Sequence, residues 1–160
     1  MANFYYFDSS ALVKLYIVEH GSQWVEEIVN TKDQNGDLLN LVTISKIGIV
    51  EVAAAIARSE RLGSITTAQR LRLFNSFARD SQELFETLSL TDELVHLGSE
   101  LTQRWPLRGY DAVHLASAIV LNEQLTSAGL GEIKFVSADK RLQQASRKEG
   151  LTTEDPQEHL

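Results

Sequence analysis

Four aromatic residues in succession, Phe4-Tyr5-Tyr6-Phe7, stand near the start of the chain with no polar residue among them. Alternate residues of a strand face opposite sides, so a run apolar at every position describes a strand covered on both faces. Such strands belong to parallel sheets flanked by helices. Apolar runs at 39–43, 85–90 and 133–137 predict three more strands. Helical patterns lie between them: the stripes Ala11-Leu12-Leu15-Tyr16 and Trp24-Val25-Ile28-Val29, a buried helix over 45–61, and an amphipathic one over 66–82. The pair Thr66 and Gln69 predicts a capping box at the start of this last helix. Further helices fit 92–104, 110–123 and 139–148. The first of these ends at Trp105-Pro106, because proline disfavours the α region before it. Strands alternating with helices imply a three-layer α/β/α domain with a mostly parallel central sheet of about 4–5 strands.

The chain is 160 residues long, a natural length for one domain, here residues 1–156 with a fraying tail over 157–160. It contains no cysteine, which excludes disulfides, thiolate metal sites and a cysteine nucleophile. The first ten residues lack the basic and apolar pattern of a secretory leader. The most apolar window, 47–57, is far shorter than the ~20 residues of a membrane helix. The expectation is a cytoplasmic protein with no membrane contact. With 15 Lys+Arg against 22 Asp+Glu the net charge is −7, which argues against a general nucleic-acid coat. An enzyme that gathers carboxylates around a cation is compatible with that balance.

Four carboxylates stand in informative places. Asp8 directly follows the first strand, at the carboxyl edge where open α/β proteins place ligands. Asp111 opens one helix, and Asp139 follows the last strand and opens another. Each of the three could equally be a helix cap. Glu51 cannot be a cap, since it lies well inside its helix and is the only charge in Ile47-Gly48-Ile49-Val50-Glu51-Val52-Ala53-Ala54-Ala55-Ile56-Ala57. A lone carboxylate there needs a cation, either an Arg such as Arg58 or a metal, unless it lies on a narrow solvent face. Oxygen ligands without nearby Cys or His select a hard ion, Mg²⁺ or Mn²⁺.

These residues together resemble the PIN-domain nucleases, and within them the VapC-type toxins of prokaryotic toxin–antitoxin pairs. Phe7-Asp8-Ser9-Ser10-Ala11-Leu12 resembles the family's opening motif, Glu51 its helix glutamate, and Tyr110-Asp111-Ala112-Val113-His114-Leu115-Ala116 its most recognisable block. Val136-Ser137-Ala138-Asp139-Lys140-Arg141-Leu142 is similar to its last acidic motif. The resemblance implies that Asp8, Glu51, Asp111 and Asp139 form the metal-binding, catalytic quartet of an endoribonuclease, with Ser10 and Ser137 as supporting hydroxyls. It implies hydrolysis of RNA by a metal-activated water, with Mg²⁺ or Mn²⁺ as cofactor, leaving a 5′-phosphate and a 3′-hydroxyl. It also implies a homodimer and a small antitoxin partner. Two other readings are a PIN-like metal-binding interaction module without turnover and a receiver-like phosphoacceptor domain, in which Glu51 has no role.

Lys14, Arg108, Lys140 and Arg141 lie near the acidic motifs and are the expected RNA contacts. Arg58, Arg61, Arg70, Arg72 and Arg79 read first as the solvated face of two helices, or else as the flank of an RNA path. His114, one turn after Asp111, reads as a satisfied, partly buried histidine rather than an acid–base group. Trp24 and Trp105 read as core or interface residues.

Overall fold

In a computed structural model describing residues 3–159, the aromatic run forms β1 (Asn3–Phe7) and takes the middle of the sheet. β2 (Asn40–Ser45) and β4 (Ile133–Val136) flank it. β3 (Glu86–Leu88) and β5 (Thr152–Glu154) form the edges, giving the order β3-β2-β1-β4-β5. All four pairings are parallel, with Phe7 level with Ile44 on one side and Val136 on the other. The carboxyl ends of β1, β2 and β4 therefore meet along one edge.

The alternation of β1 divides two cores. Tyr5 and Phe7 face one layer, made by α1 (Ser9–Leu12), α2 (Ser22–Asn30), α3 (Lys46–Arg61) and α4 (Thr67–Glu83). Tyr6 faces the other, made by α5 (Asp92–Arg104), α6 (Gly109–Ser127) and α7 (Lys140–Lys148). Both faces are covered, as the unbroken aromatic run requires. The Thr66–Gln69 capping box is present, with Thr66 Oγ1 accepting from Gln69 N and Gln69 Oε1 from Thr66 N. Among the described residues, no helix is long and apolar enough to cross a membrane.

Two expectations need correction. The helix over 45–61 is not buried all round: Gly48, Val52 and Ile56 face the core while Val50 and Ala54 are exposed. The C-terminal residues expected to fray are ordered through His159, Leu160 lying outside the described residues. Thr152–Glu154 adds β5, and a 3₁₀ turn follows at Pro156–Glu158. The reason is tertiary. Buried Asp155 accepts from Lys140 Nζ, His20 Nε2 stands 2.7 Å from the Gln157 carbonyl, and His159 stacks on Trp24 at 3.9 Å. Gly21 makes room for this segment. Its φ is +86°, and a Cβ there would stand 2.3 Å from the Pro156 oxygen.

Candidate active site

Asp8 caps α1 by accepting from Ala11 N, 2.9 Å, while the strand before it holds its backbone to Val136. Because β1 and β4 are neighbours, Ser137 reaches it directly. Ser137 Oγ donates to Asp8 Oδ2 at 2.5 Å, and Ser10 Oγ donates to Oδ1 at 2.7 Å. Both serines are in turn fixed, Ser10 Oγ accepting from Ala138 N and Ser137 Oγ from Asp139 N. Gln143 Nε2 donates to the Ser137 carbonyl, 2.7 Å. Only 3% of Asp8 is exposed. Burial raises its carboxyl pKa, and the neighbouring His114, the two serine hydroxyls and the Ala11 N–H offset this only in part.

Glu51 projects from α3 toward the same edge and is half-buried rather than enclosed. Its partner is not Arg58 but His114, whose Nε2 lies 2.8 Å from Glu51 Oε1; Ser9 Oγ donates to Oε2 at 2.5 Å. Burial pushes the Glu51 carboxyl up, but the His114 contact and charge and the Ser9 hydroxyl outweigh it and hold it below its ordinary value. An ionised carboxylate only accepts, so the His114 Nε2 carries the proton aimed at Glu51. His114 Nδ1 lies 2.9 Å from the buried Tyr6 hydroxyl. Gly48 allows α3 to come this close, since a Cβ there would stand 3.3 Å from His114 Cε1.

For Asp111 and Asp139, capping and a free carboxylate oxygen coexist. Asp111 Oδ2 accepts from Arg108 N at 3.2 Å, and Asp139 Oδ1 accepts from Arg141 N and Leu142 N at 2.8 and 3.0 Å. The second oxygen of each, Asp111 Oδ1 and Asp139 Oδ2, has no hydrogen-bond partner among the described residues. Burial raises the Asp111 carboxyl and the charge of Asp139 adds to it, against the opposing Arg108 N–H, Arg108 charge and His114. Among the described residues no Lys or Arg stands within salt-bridge distance of these four carboxylates, and His114 is the one basic side chain that touches them. The donor set is all oxygen and fits a hard divalent ion, although no three His, Asp or Glu side chains among the described residues stand close enough to cage one as they are.

The expected phosphate contacts divide. Arg108 and Arg141 are exposed. Lys14 is not available: it lies in the 3₁₀ turn Val13–Leu15 that follows α1, is 1% exposed, and its Nζ donates to Glu19 Oε1 and the His20 carbonyl, both at 2.8 Å. Lys140 is tied to Asp155, with Glu158 at 3.7 Å. Asp92, the nearest candidate for a phosphoacceptor, is an exposed first-turn residue of α5. Trp105 packs on the second core and donates to Glu149 Oε1. His114 is the satisfied, buried histidine its sequence context suggests, but its partner Tyr6 and the Ser9 contact on Glu51 have no signal in the sequence. For His114 itself, the one-turn spacing from Asp111 was the available signal.

The PIN domain family model matches residues 5–148. Ribonuclease VapC47 of Mycobacterium tuberculosis is 28% identical over 151 residues, 94% of this chain and 96% of that one. Ribonuclease VapC45 of the same organism is 30% identical over 121 residues, covering 74% and 76%. Among solved structures, FitAcB from Neisseria gonorrhoeae superposes with a TM-score of 0.63 at 13% identity, covering 97% of this chain and 99% of that one. VapBC2 from Rickettsia felis, bound to a DNA fragment from its promoter, gives 0.61 at 13% identity over 95% and 98%. PAE2754 from Pyrobaculum aerophilum gives 0.60 at 21% over 99% and 93%. At these identities the structural likeness speaks for the fold.

Proposed function

The chain belongs to the PIN domain family, and from that premise we propose that it is an endoribonuclease, the toxin of a toxin–antitoxin pair, acting with Mg²⁺ or Mn²⁺. The observation that carries the reading is the pair Asp111 and Asp139. Each uses one oxygen to cap a helix and leaves the other unpartnered, beside a fixed, buried Asp8. Asp8, Glu51, Asp111 and Asp139 would hold the ion. When bound, the ion supplies Lewis acidity that makes a water nucleophilic at neutral pH and offsets charge on the phosphate.

The chain's own residues set the geometry. Ser10 and Ser137 hold both Asp8 oxygens, so the carboxylate cannot rotate. His114 and Ser9 hold Glu51 from opposite oxygens. The same four carboxylates repel a polyanion until their charge is neutralised, which makes cleavage strictly metal-dependent. An antitoxin partner and a homodimer belong to this reading.

The test is Mn²⁺ calorimetry on wild type, Asp111→Asn and Glu51→Gln, followed by end-group analysis of cleaved RNA. The amide oxygen of Asn can accept the same Arg108 N–H, so Asp111→Asn isolates the charge. Binding by wild type, with folded variants that lose it, and 5′-phosphate products are expected. Wild type that binds no Mn²⁺ would overturn the reading.

A further inference from the structure

We infer that the groove running along α3 from Glu51 to Arg58 and Arg61 seats an RNA phosphate flanking the scissile one; this rests on the ribonuclease reading and gives it a direction for the substrate strand. The groove encloses about 440 Å³ between α3 and the start of α1, with Ser9, Ser10 and Val13 on the α1 side.

Its α3 wall is a single stripe. Glu51, Ala54, Ala55 and Arg58 follow the i, i+3, i+4, i+7 spacing of one helix face. The sequence pattern alone assigns these alanines to the core. Instead Ala54 is exposed and Ala55 half-buried, so their small side chains leave a trough in front of the helix. At a rise of 1.5 Å per residue, Arg58 lies about 10.5 Å along the axis from Glu51, and Arg61 one turn further.

One end of the trough is therefore acidic and belongs to the cleavage chemistry; the other is cationic. Arg58 and Arg61 are exposed and have no acidic partner within salt-bridge distance among the described residues. Arg70, Arg79 and Arg104 differ: they are paired with Glu60, Asp80 and Glu149. With Lys14 buried, the nearest expected phosphate contact on the α1 side is gone, and these two arginines take that place. Guanidinium groups suit it because they grip phosphate oxygens in pairs. The strand would cross the acidic edge and leave along α3.

The experiment measures the salt dependence of binding to a short 5′-fluorescein-labelled single-stranded RNA of mixed sequence, by fluorescence anisotropy. Ca²⁺ replaces Mg²⁺, and the proteins are wild type, the double variant Arg58→Gln/Arg61→Gln, and Arg72→Gln on α4 as control. Each phosphate contact contributes about 0.7 to the log–log salt slope for single strands. The double variant is expected to lower the slope by about 0.7, the share of one phosphate, with Mn²⁺ affinity and melting temperature unchanged and the control like wild type. If wild type shows salt-dependent binding and the double variant keeps its full slope, the subsite is wrong while the ribonuclease reading stands. If wild type binds no RNA, that reading falls and takes the subsite with it. A hexaglutamate peptide that binds wild type but not the double variant, with RNA binding equal in both, would assign the groove to an acidic protein tail.

Discussion

His114 uses both ring nitrogens inside the protein, one on Tyr6 and one on Glu51. Residues that orient metal-binding side chains typically matter by about 10–100-fold in metal affinity. His114→Leu is therefore expected to weaken Mn²⁺ binding by that factor while the protein still folds. His114→Gln, which can donate an amide N–H to Glu51, should recover part of it; calorimetry on both variants distinguishes orientation from mere packing. Asp8 makes a second prediction. Burial raises its pKa, so the folded state binds its proton more tightly than the unfolded chain does. Wild-type stability without metal should rise as pH falls from neutral through that raised value. Asp8→Asn can keep the Ala11 and Ser10 contacts on its oxygen and donate to Ser137. It should melt no lower than wild type at pH 7 and lose this pH dependence, as thermal scans across pH would report.

Helix starts are where the sequence posed a false choice. For Asp111 and Asp139, cap and ligand compete only if one oxygen must do both tasks, and each residue has two. That is visible in the hydrogen bonds and in no spacing rule. The strands β1, β2 and β4 were legible because long apolar runs announce themselves. β5 was not: Thr-Thr-Glu at a sheet edge has no apolar signature, and only pairing with β4 makes it a strand. The segment after it gives two predictions. Gly21→Ala places a side chain at positive φ against Pro156; the backbone conformation alone costs about 1–2 kcal/mol. A fall of several degrees in melting temperature is expected, with earlier proteolysis of the C-terminus. Asp155 is the second. Burial would raise its carboxyl, but Lys140, Gln143 and the Gln157 N–H together hold it below its ordinary value. A depressed carboxylate stabilises above its unfolded pKa of about 3.9 and loses that contribution as pH falls through the folded value. Asp155→Asn should thus be destabilised most at neutral pH, and the gap from wild type should close in acid denaturation scans.

Four segments far apart in the chain, residues 8–10, 51, 111–114 and 137–139, meet at one sheet edge, because three parallel strands end there and α6 begins beside them. Cation binding should then report on the entire fold. An ion at a hundred times its Kd stabilises by about 2.7 kcal/mol. Mn²⁺ should accordingly raise the melting temperature of wild type by several degrees, and by little in Asp111→Asn. Equal shifts in both would place the ion elsewhere.

The sequence by itself determined the layered α/β architecture, the covering of its first strand on both faces, and the four acidic motifs in their order. These depend on local periodicity and on residue chemistry, which a linear string records. Only the tertiary structure decided the partners. His114 rather than Arg58 meets Glu51, Lys14 is turned inward, and the last residues are held on α2. Each of these depends on groups distant in the chain being brought together, and no local pattern specifies which of several eligible cations or acceptors will stand within 3 Å.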